Sequence, residues 1–151
     1  MYQDISKDVR LAGDMPTVWD ALLDFQRVAS WLPIVHELRE VEPLRRYTAV
    51  LEDRVGPFAL RADLTVDVDV DVAARRLHVS ASGEDRQVAS RITAVLAVTL
   101  AAEGGGTVLA ARGRYDITGR MATLGAGAIR KKGEKVLDDF FTNAARDLAT
   151  A

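Results

Sequence analysis

The sequence predicts an α+β fold: a curved antiparallel sheet of seven strands around one long C-terminal helix, with two short helices after the first strand. Apolar and polar residues alternate through the middle of the chain, most clearly in "LRADLTVDVDVDV" at Leu60–Val72. Alternation of this length is typical of an antiparallel strand with one wet face. From Arg120 to Thr150 apolar residues recur every three to four positions, which predicts a helix. A helix of that length can cover the apolar face of the sheet.

Length and composition narrow the class of protein. A chain of 151 residues has the size of one domain, so we expect a single domain over residues 1–151. Its 48% hydrophobic and 28% charged residues are ordinary for a globular protein. The absence of cysteine excludes disulfides, and the net charge of −2 argues against a nucleic-acid partner. Without a secretory signal or a long apolar run, the expected location is cytoplasmic.

The N-terminal part of the chain predicts one strand and two short helices. Loose alternation over Ile5–Ala12 indicates a half-buried strand. Asp14 is a favourable N-cap, and Pro16 follows it in the first helical turn, so a short amphipathic helix begins there. A second short helix, Phe25–Trp31, ends before Pro33 because proline cannot continue it.

Six further strands follow, separated by turn signals. Each run of period two ends at a glycine, a proline or a pair of small residues. The predicted strands are Val35–Val41, Tyr47–Val55, Leu60–Val72, Leu77–Ala81, Ser90–Ala102 and Thr107–Ile117, with turns at Gly56-Pro57, Ala73-Ala74, Gly83–Asp85 and Gly104–Gly106. If unbroken, the terminal helix Arg120–Thr150 would be about 45 Å long.

Small residues face one another where the sheet should meet the terminal helix. Ala94 and Ala111 lie on the apolar face of the last two strands, and the helix offers Gly125 and Ala128. Such residues either let backbones approach closely or leave a hole, and both interpretations stay open. A hole would have the apolar character of a small-molecule site. The residues predicted to line it are Trp31, Val35, Phe58, Leu64, Leu96, Val98, Leu109, Ala111, Tyr115, Leu124, Gly125 and Ile129.

The sequence offers little chemistry. His36 and His78 lie on different strands without metal-ligand spacing, and the acids of Asp67–Asp71 share one wet strand face, so no metal site is predicted. No phosphate-binding loop and no nucleophile motif is found. No catalytic residue is assigned, which favours a binding protein. An enzyme would need an inward-facing acid, histidine or arginine, for which Asp116, Arg91 and His36 are the candidates.

A basic cluster on the terminal helix has two interpretations. The cluster consists of Arg130, Lys131, Lys132 and Lys135. It forms either a solvated helix face or a docking site for an acidic partner or an anionic membrane. Each basic residue near an anionic membrane contributes about 1 kcal/mol, so a cluster of this size is at the lower limit of a membrane signal.

Several motifs together resemble one family. They are "MPTVWDALLDFQRVASWLP" at Met15–Pro33, the turns Val55-Gly56-Pro57 and Gly105-Gly106-Thr107, the junction Gly119–Gly125, and the pair Phe140-Phe141. Their order and spacing resemble the CoxG family, the G subunit of carbon monoxide dehydrogenase, within the START/SRPBCC helix-grip superfamily. The resemblance extends over almost the whole chain.

The resemblance implies a function as well as a fold. Such proteins have an elongated apolar cavity between sheet and helix, and they are linked to isoprenoid quinones and to CO dehydrogenase-type molybdenum oxidoreductases. The chain is therefore expected to have no built-in cofactor and to bind a menaquinone-like quinone. It would be a carrier or accessory protein for such an enzyme, peripheral to the inner face of the membrane. Other branches of the superfamily are polyketide cyclases, so a cyclase or dehydratase is the alternative.

Glycines in the terminal helix suggest how a ligand would enter. A glycine in a helix interior costs roughly 0.5–1 kcal/mol relative to alanine. The hypothesis is that Gly125, Gly127 and Gly133 keep the first half of the helix thin and yielding beside the cavity. A prenyl chain would then enter past Trp31 and this helix.

Overall fold

The computed structural model describes residues 2–149 of the chain. This part contains seven strands, three α-helices and one short 3₁₀ helix. The strands are β1 (Tyr2–Leu11), β2 (Val35–Glu42), β3 (Arg46–Val55), β4 (Phe58–Asp71), β5 (Arg76–Asp85), β6 (Ser90–Glu103) and β7 (Gly106–Gly119). The helices are α1 (Met15–Leu23), α2 (Phe25–Ala29), the 3₁₀ helix Arg120–Leu124 and α3 (Ala126–Ala149).

The strands form one antiparallel sheet in the order β1-β7-β6-β5-β4-β3-β2. From β2 to β7, consecutive strands are neighbours, and β1 pairs with β7, where Ile5 lies opposite Gly113. The helices α1 and α2 follow β1, and α3 follows β7 and the 3₁₀ helix. This confirms the predicted fold class of seven antiparallel strands, two short helices after the first strand and a long C-terminal helix.

Side-chain caps position the first two helices. Asp14 Oδ1 accepts a hydrogen bond from the Thr17 backbone N–H (2.9 Å), and Asp24 Oδ1 accepts one from Arg27 at the start of α2 (3.2 Å). Each cap satisfies a backbone donor that has no partner within its own helix. The N-cap predicted at Asp14 is confirmed.

The turn predicted at Gly83–Asp85 is wrong, because these residues continue β5 and the turn lies at residues 86–89. Position 83 has no room for a side chain, since a Cβ there would lie 2.6 Å from the carbonyl oxygen of Asp63. Asp85 caps the turn that follows, where its carboxylate accepts hydrogen bonds from the backbone N–H groups of Gln87 (2.9 Å) and Val88 (3.2 Å). Glycine here therefore reflects close packing between strands.

The terminal helix is shorter than the sequence predicts. Instead of one helix over Arg120–Thr150, the structure has the 3₁₀ helix, a break at Gly125, and then α3 with 24 residues, which makes α3 about 36 Å long. Gly125 has a φ of +91°, a conformation that residues with a side chain rarely adopt. Gly125 thus separates two helices, and Thr150 lies outside the described residues.

The core has two parts. The larger lies between the sheet, α1 and the C-terminal half of α3, and its buried members include Val18, Trp19, Leu22, Trp31, Leu100, Leu109, Phe141, Ala144 and Leu148. The smaller lies around Met121 of the 3₁₀ helix and includes Val55, Leu60, Ala62 and Val88. Of the four buried residues of α3, three lie in its C-terminal half. The N-terminal half is therefore packed less closely against the sheet.

Asp147 fixes the C-terminal half of α3 to α2 and the residues after it. Its carboxylate accepts hydrogen bonds from Arg27 Nε (2.7 Å) and Trp31 Nε1 (2.8 Å), and Asn143 Nδ2 donates to the Trp31 carbonyl (3.1 Å). Arg27, and then Trp31, lower the pKa of Asp147 below its ordinary value of 3.8. Polar contacts as well as the core therefore hold this end of the helix.

Asp147→Asn should lower the melting temperature, because the variant loses the ion pair with Arg27. A carboxyl whose pKa is lowered on folding stabilises the protein above its unfolded pKa, and this stabilisation is lost as the pH falls through the folded pKa. The difference in melting temperature between wild type and variant should therefore be largest near neutral pH and become smaller below pH 3.8. Thermal unfolding followed by circular dichroism across this range measures it.

Asp138→Asn is the control, since it removes an exposed ion pair between α3 and Lys7 (3.0 Å). Exposed pairs contribute little, so this variant should change the melting temperature less. A difference in melting temperature between Asp147→Asn and the wild type that does not change with pH would contradict the role given to the Asp147 carboxylate.

Candidate functional site

A cavity of about 250 Å³ lies between the sheet and the N-terminal half of α3. Side chains from β1 and from β3 to β7 form one wall, and α3 forms the other. Both walls are mainly aliphatic. Their members include Leu51, Leu60, Leu64, Ile92 and Ile117 from the sheet and Val136 from α3.

Short side chains at the centre of the sheet leave this space. Ala81 of β5 pairs with Ala94 of β6, which pairs with Tyr115 of β7, so these three residues point to the same face. The two adjacent alanines are too short to reach α3. At Ala94 and Ala111 the sequence left a hole and close packing open as alternatives. The structure has the cavity at Ala94, and Ala111 is buried in the larger core.

Helix α3 approaches the sheet closely at Gly133. A Cβ at this position would lie 2.6 Å from Tyr115 Cζ and closer still to the hydroxyl oxygen. The Tyr115 hydroxyl donates a hydrogen bond to the carbonyl of Ile129 (3.2 Å). Burial raises the pKa of Tyr115, so the side chain stays a neutral donor at physiological pH.

The glycines of the terminal segment have different surroundings, not a shared one. Gly125 forms the break before α3, and a Cβ at Gly127 would meet nothing within 4 Å. Gly133 lines the cavity, whereas Gly125 and Gly127 do not. The hypothesis that all three thin the helix beside the cavity therefore fits the position of Gly133 alone.

One ion pair interrupts the aliphatic wall. Lys132 Nζ of α3 lies 3.0 Å from Asp53 Oδ1 of β3, and the same oxygen accepts a hydrogen bond from the Arg54 backbone N–H (2.8 Å). The Asp53 side chain is 14% exposed and the Lys132 side chain 31%, so the pair lies at the edge of the cavity, where Lys132 has more access to water than Asp53. Among the described residues that line the cavity, these two carry the only charges. The pair connects α3 to β3 and leaves the site without net charge.

The arrangement suits a hydrophobic ligand with one polar group. A lysine ammonium has three N–H donors, and a single oxygen of Asp53 cannot accept from all of them. The Tyr115 hydroxyl donates to Ile129 already. Lys132 is therefore the side chain with donors to offer a ligand. Apolar walls with a few polar groups are the usual composition of small-molecule sites.

Comparison with known families gives the family of this chain. The family model for the G subunit of carbon monoxide dehydrogenase (CoxG) matches residues 8–149. The chain belongs to the CoxG family. The resemblance found in the motifs from Met15–Pro33 to Phe140-Phe141 is confirmed. A comparison with curated proteins finds no match.

Solved structures share the fold at low identity. A conserved protein from Geobacillus kaustophilus is 17% identical with a TM-score of 0.86, over 98% of this chain and 96% of that one. A START superfamily protein from Mycobacterium smegmatis is 11% identical with a TM-score of 0.74, over 97% of each chain. A protein from Thermus thermophilus is 14% identical with a TM-score of 0.68, over 98% of each chain. This CoxG-family chain therefore has the START-type fold.

Three of the predicted lining residues, Leu64, Tyr115 and Ile129, border the cavity. The others lie elsewhere: Trp31, Val98, Leu109 and Ala111 are buried in the larger core, Leu96 packs against it, Phe58 and Leu124 pack in the smaller core, Val35 is half-buried on β2, and Gly125 forms the break. The part of the sheet that carries Val98, Leu109 and Ala111 packs in one core with α1 and the C-terminal half of α3, so the cavity lies further along these strands, at Ala94 and Tyr115. That any of these residues binds a ligand stays a prediction.

The basic cluster divides between two faces of α3. Lys132 points to the cavity, whereas Arg130, Lys131 and Lys135 are exposed, and Lys135 pairs with Asp139 (3.1 Å). The prediction that Lys132 shares an exposed docking surface with the other three residues is therefore not met. Within residues 2–149, none of the helices is long and apolar enough to span a membrane.

The Asp53–Lys132 pair was not predicted from the sequence. The residues that the sequence suggested for an enzyme do not line the cavity. His36 and Arg91 are exposed, and Asp116 is half-buried on β7. Two signals were present: Asp53 interrupts the apolar alternation of β3, and Lys132 recurs at the apolar spacing of α3. The residues from 2 to 149 contain no cluster of side chains suited to hold a metal ion.

Gly133→Ala should destabilise the protein by about 1–3 kcal/mol, as overpacking does, because the new Cβ would overlap the Tyr115 ring. Urea denaturation measures the free energy of unfolding. Gly127→Ala is the matched control on the same helix. Since its Cβ would meet open space, it should be neutral or stabilising by up to about 1 kcal/mol.

A double variant locates the cause of the destabilisation. Gly133→Ala combined with Tyr115→Ala should cost less than the sum of the two single changes, because the clash is then absent. Equal effects of alanine at Gly127 and Gly133 would show that the close contact is not as described.

Proposed function

We propose that this chain binds a hydrophobic small molecule whose polar headgroup lies beside Lys132 and Asp53. The observation that carries the proposal is the cavity itself, an aliphatic chamber with one ion pair at its edge. Membership of the CoxG family and the START-type fold support binding of an apolar ligand. The apolar part of the ligand would lie between the sheet and α3.

The ligand we propose is an isoprenoid quinone of the menaquinone type. Its ring carbonyls are uncharged acceptors that match the donors of Lys132, and its prenyl tail matches the aliphatic wall. The cavity, at about 250 Å³, is just below the roughly 300–1,000 Å³ typical of small-molecule sites. Such a volume suits the ring and the beginning of the tail. The rest of the tail would extend beyond the cavity.

We also propose that the chain is a carrier or accessory protein for a CO dehydrogenase-type molybdenum oxidoreductase. The family name supports the link to carbon monoxide dehydrogenase. A quinone accepts electrons, and its tail keeps it in the membrane. A cavity that shields part of the tail from water gives such a molecule a route between the membrane and an enzyme.

A polyketide cyclase or dehydratase is the second candidate, and one observation favours it. Asp53 is an acid that lines the cavity, and Lys132 and Tyr115 are polar neighbours around the same space. An acid with such neighbours can move protons on a bound substrate. Binding remains the first proposal because the Asp53 carboxylate is already neutralised by Lys132. A ligand recovered in chemically altered form would favour the enzyme.

Native mass spectrometry with lipid extraction tests the binding proposal. Full-length protein purified gently from a host that makes menaquinone should carry the quinone at close to one molecule per chain. The variant Ala94→Phe should lose it, because the phenyl ring fills the cavity. Protein that is empty on purification and takes up no added menaquinone would contradict the proposal.

The matched control is Ala97→Phe, three positions along the same strand. Ala97 pairs with His78 and Arg112 on the other face of the sheet, so its side chain points away from the cavity. It should retain the quinone. Equal loss in both variants would mean that the cavity is not the binding site.

The exposed part of the basic cluster should promote binding to an anionic membrane. Arg130→Gln/Lys131→Gln should weaken co-sedimentation with phosphatidylglycerol-containing vesicles by about tenfold or more, since each basic residue contributes about 1 kcal/mol. Raising the salt concentration should reduce wild-type binding in the same direction.

Arg76→Gln/Arg86→Gln is the control for net charge, because both residues are exposed on or after β5. It should bind vesicles like the wild type. If both double variants bind equally well, the cluster is a solvated helix face and not a docking surface.

A further inference from the structure

The ion pair at the edge of the cavity raises the question of which headgroups the site admits. Asp53 and Lys132 are the only charged residues among the described residues that line the cavity. They come from different elements, β3 and α3, and their charged atoms are 3.0 Å apart. The site therefore presents donors to a ligand without presenting net positive charge.

The carboxylate of Asp53 is held in place as well as neutralised. Its Oδ1 accepts from the Arg54 backbone N–H (2.8 Å) in addition to facing Lys132 Nζ. With 14% of the side chain exposed, it has little access to water. Removing Lys132 from Asp53 to serve a competing anion would leave Asp53 poorly solvated, which is unfavourable.

Headgroups of different charge meet this pair differently. A neutral carbonyl accepts a hydrogen bond from the Lys132 ammonium while the pair with Asp53 stays intact, because the ammonium has three donors. A carboxylate brings a second negative charge next to Asp53, and repulsion between like charges is stronger in a partly buried site than in water.

We propose that the Asp53–Lys132 pair makes the cavity selective for hydrophobic molecules with a neutral, hydrogen-bond-accepting headgroup, and that it excludes fatty-acid carboxylates. The selectivity rests on the proposed function, because it presupposes an apolar ligand in this cavity. Lys132 supplies the attraction, and Asp53 supplies the discrimination. The ligand class is thereby narrowed to quinones, esters and ketones of apolar molecules.

Isothermal titration calorimetry at pH 8 with three probes tests the proposal on the full chain. The probes are menaquinone-1, methyl laurate and laurate, of which the last two differ in the charge of the headgroup. The wild type should bind both neutral probes about tenfold or more tighter than laurate, in the range expected for one hydrogen bond to a charged group.

Two variants separate the roles of the pair. Asp53→Asn should improve laurate binding about tenfold relative to methyl laurate, because the Lys132 charge is then unpaired. Lys132→Met should weaken menaquinone-1 about tenfold without improving laurate. Arg86→Gln in the exposed turn after β5 is the control and should change none of the affinities. Thermal unfolding of each variant verifies that it is folded.

The wild-type probe series keeps the proposal falsifiable even where a variant fails to fold. Laurate that binds the wild type as tightly as methyl laurate would overturn the selectivity. So would an unchanged ratio of laurate to methyl laurate affinity in folded Asp53→Asn. If the wild type binds menaquinone-1, either of these two results refutes only the selectivity. A wild type that binds none of the probes refutes the proposed function as well.

Discussion

The packing of a straight helix against a curved sheet is the constraint on which the rest of the structure depends. A twisted sheet cannot follow a helix about 36 Å long over its whole length. In this chain the C-terminal half of α3 buries Phe141, Ala144 and Leu148 against the sheet and α1. The N-terminal half approaches the sheet where Gly133 meets Tyr115, and the space around that contact remains as the cavity.

The two ends of α3 differ in what holds them. Asp147 connects the C-terminal end to Arg27 and Trp31 through hydrogen bonds of 2.7 and 2.8 Å, on top of the buried core. The N-terminal half is attached beside the cavity by the Lys132–Asp53 pair and the Tyr115–Ile129 hydrogen bond. Polar contacts at the edge of a cavity can be exchanged with a ligand or with water, whereas a packed core cannot. The C-terminal end of α3 is therefore held by a packed core in addition to its polar contacts.

Local pattern was sufficient for the elements of the fold but not for the position of the helix along the sheet. Alternation located the strands, and Asp14 located the start of α1. The strand through Gly83 and the break at Gly125 were missed because each depends on a neighbour or a backbone angle that the pattern does not contain. Most of the predicted lining residues are in the two cores instead, since the part of the sheet that carries Val98, Leu109 and Ala111 is covered by α1 and the C-terminal half of α3, which local pattern does not show. The sequence shows Asp53 and Lys132 as charged residues at positions where the pattern is apolar. That their side chains form an ion pair between β3 and α3 is seen only in the structure.

Low sequence identity among proteins of this fold means that the shared fold does not identify a ligand. Structures that are 11–17% identical superimpose on this chain with TM-scores of 0.68 to 0.86. The alternation of the strands and the apolar stripe of α3 can be met by many side chains, so the fold tolerates such divergence. Asp53, Tyr115 and Lys132 are the side chains with polar groups among the described residues that line the cavity. A fold match by itself therefore cannot transfer a ligand, and in this chain the ion pair between β3 and α3 is the feature from which the ligand class has to be argued.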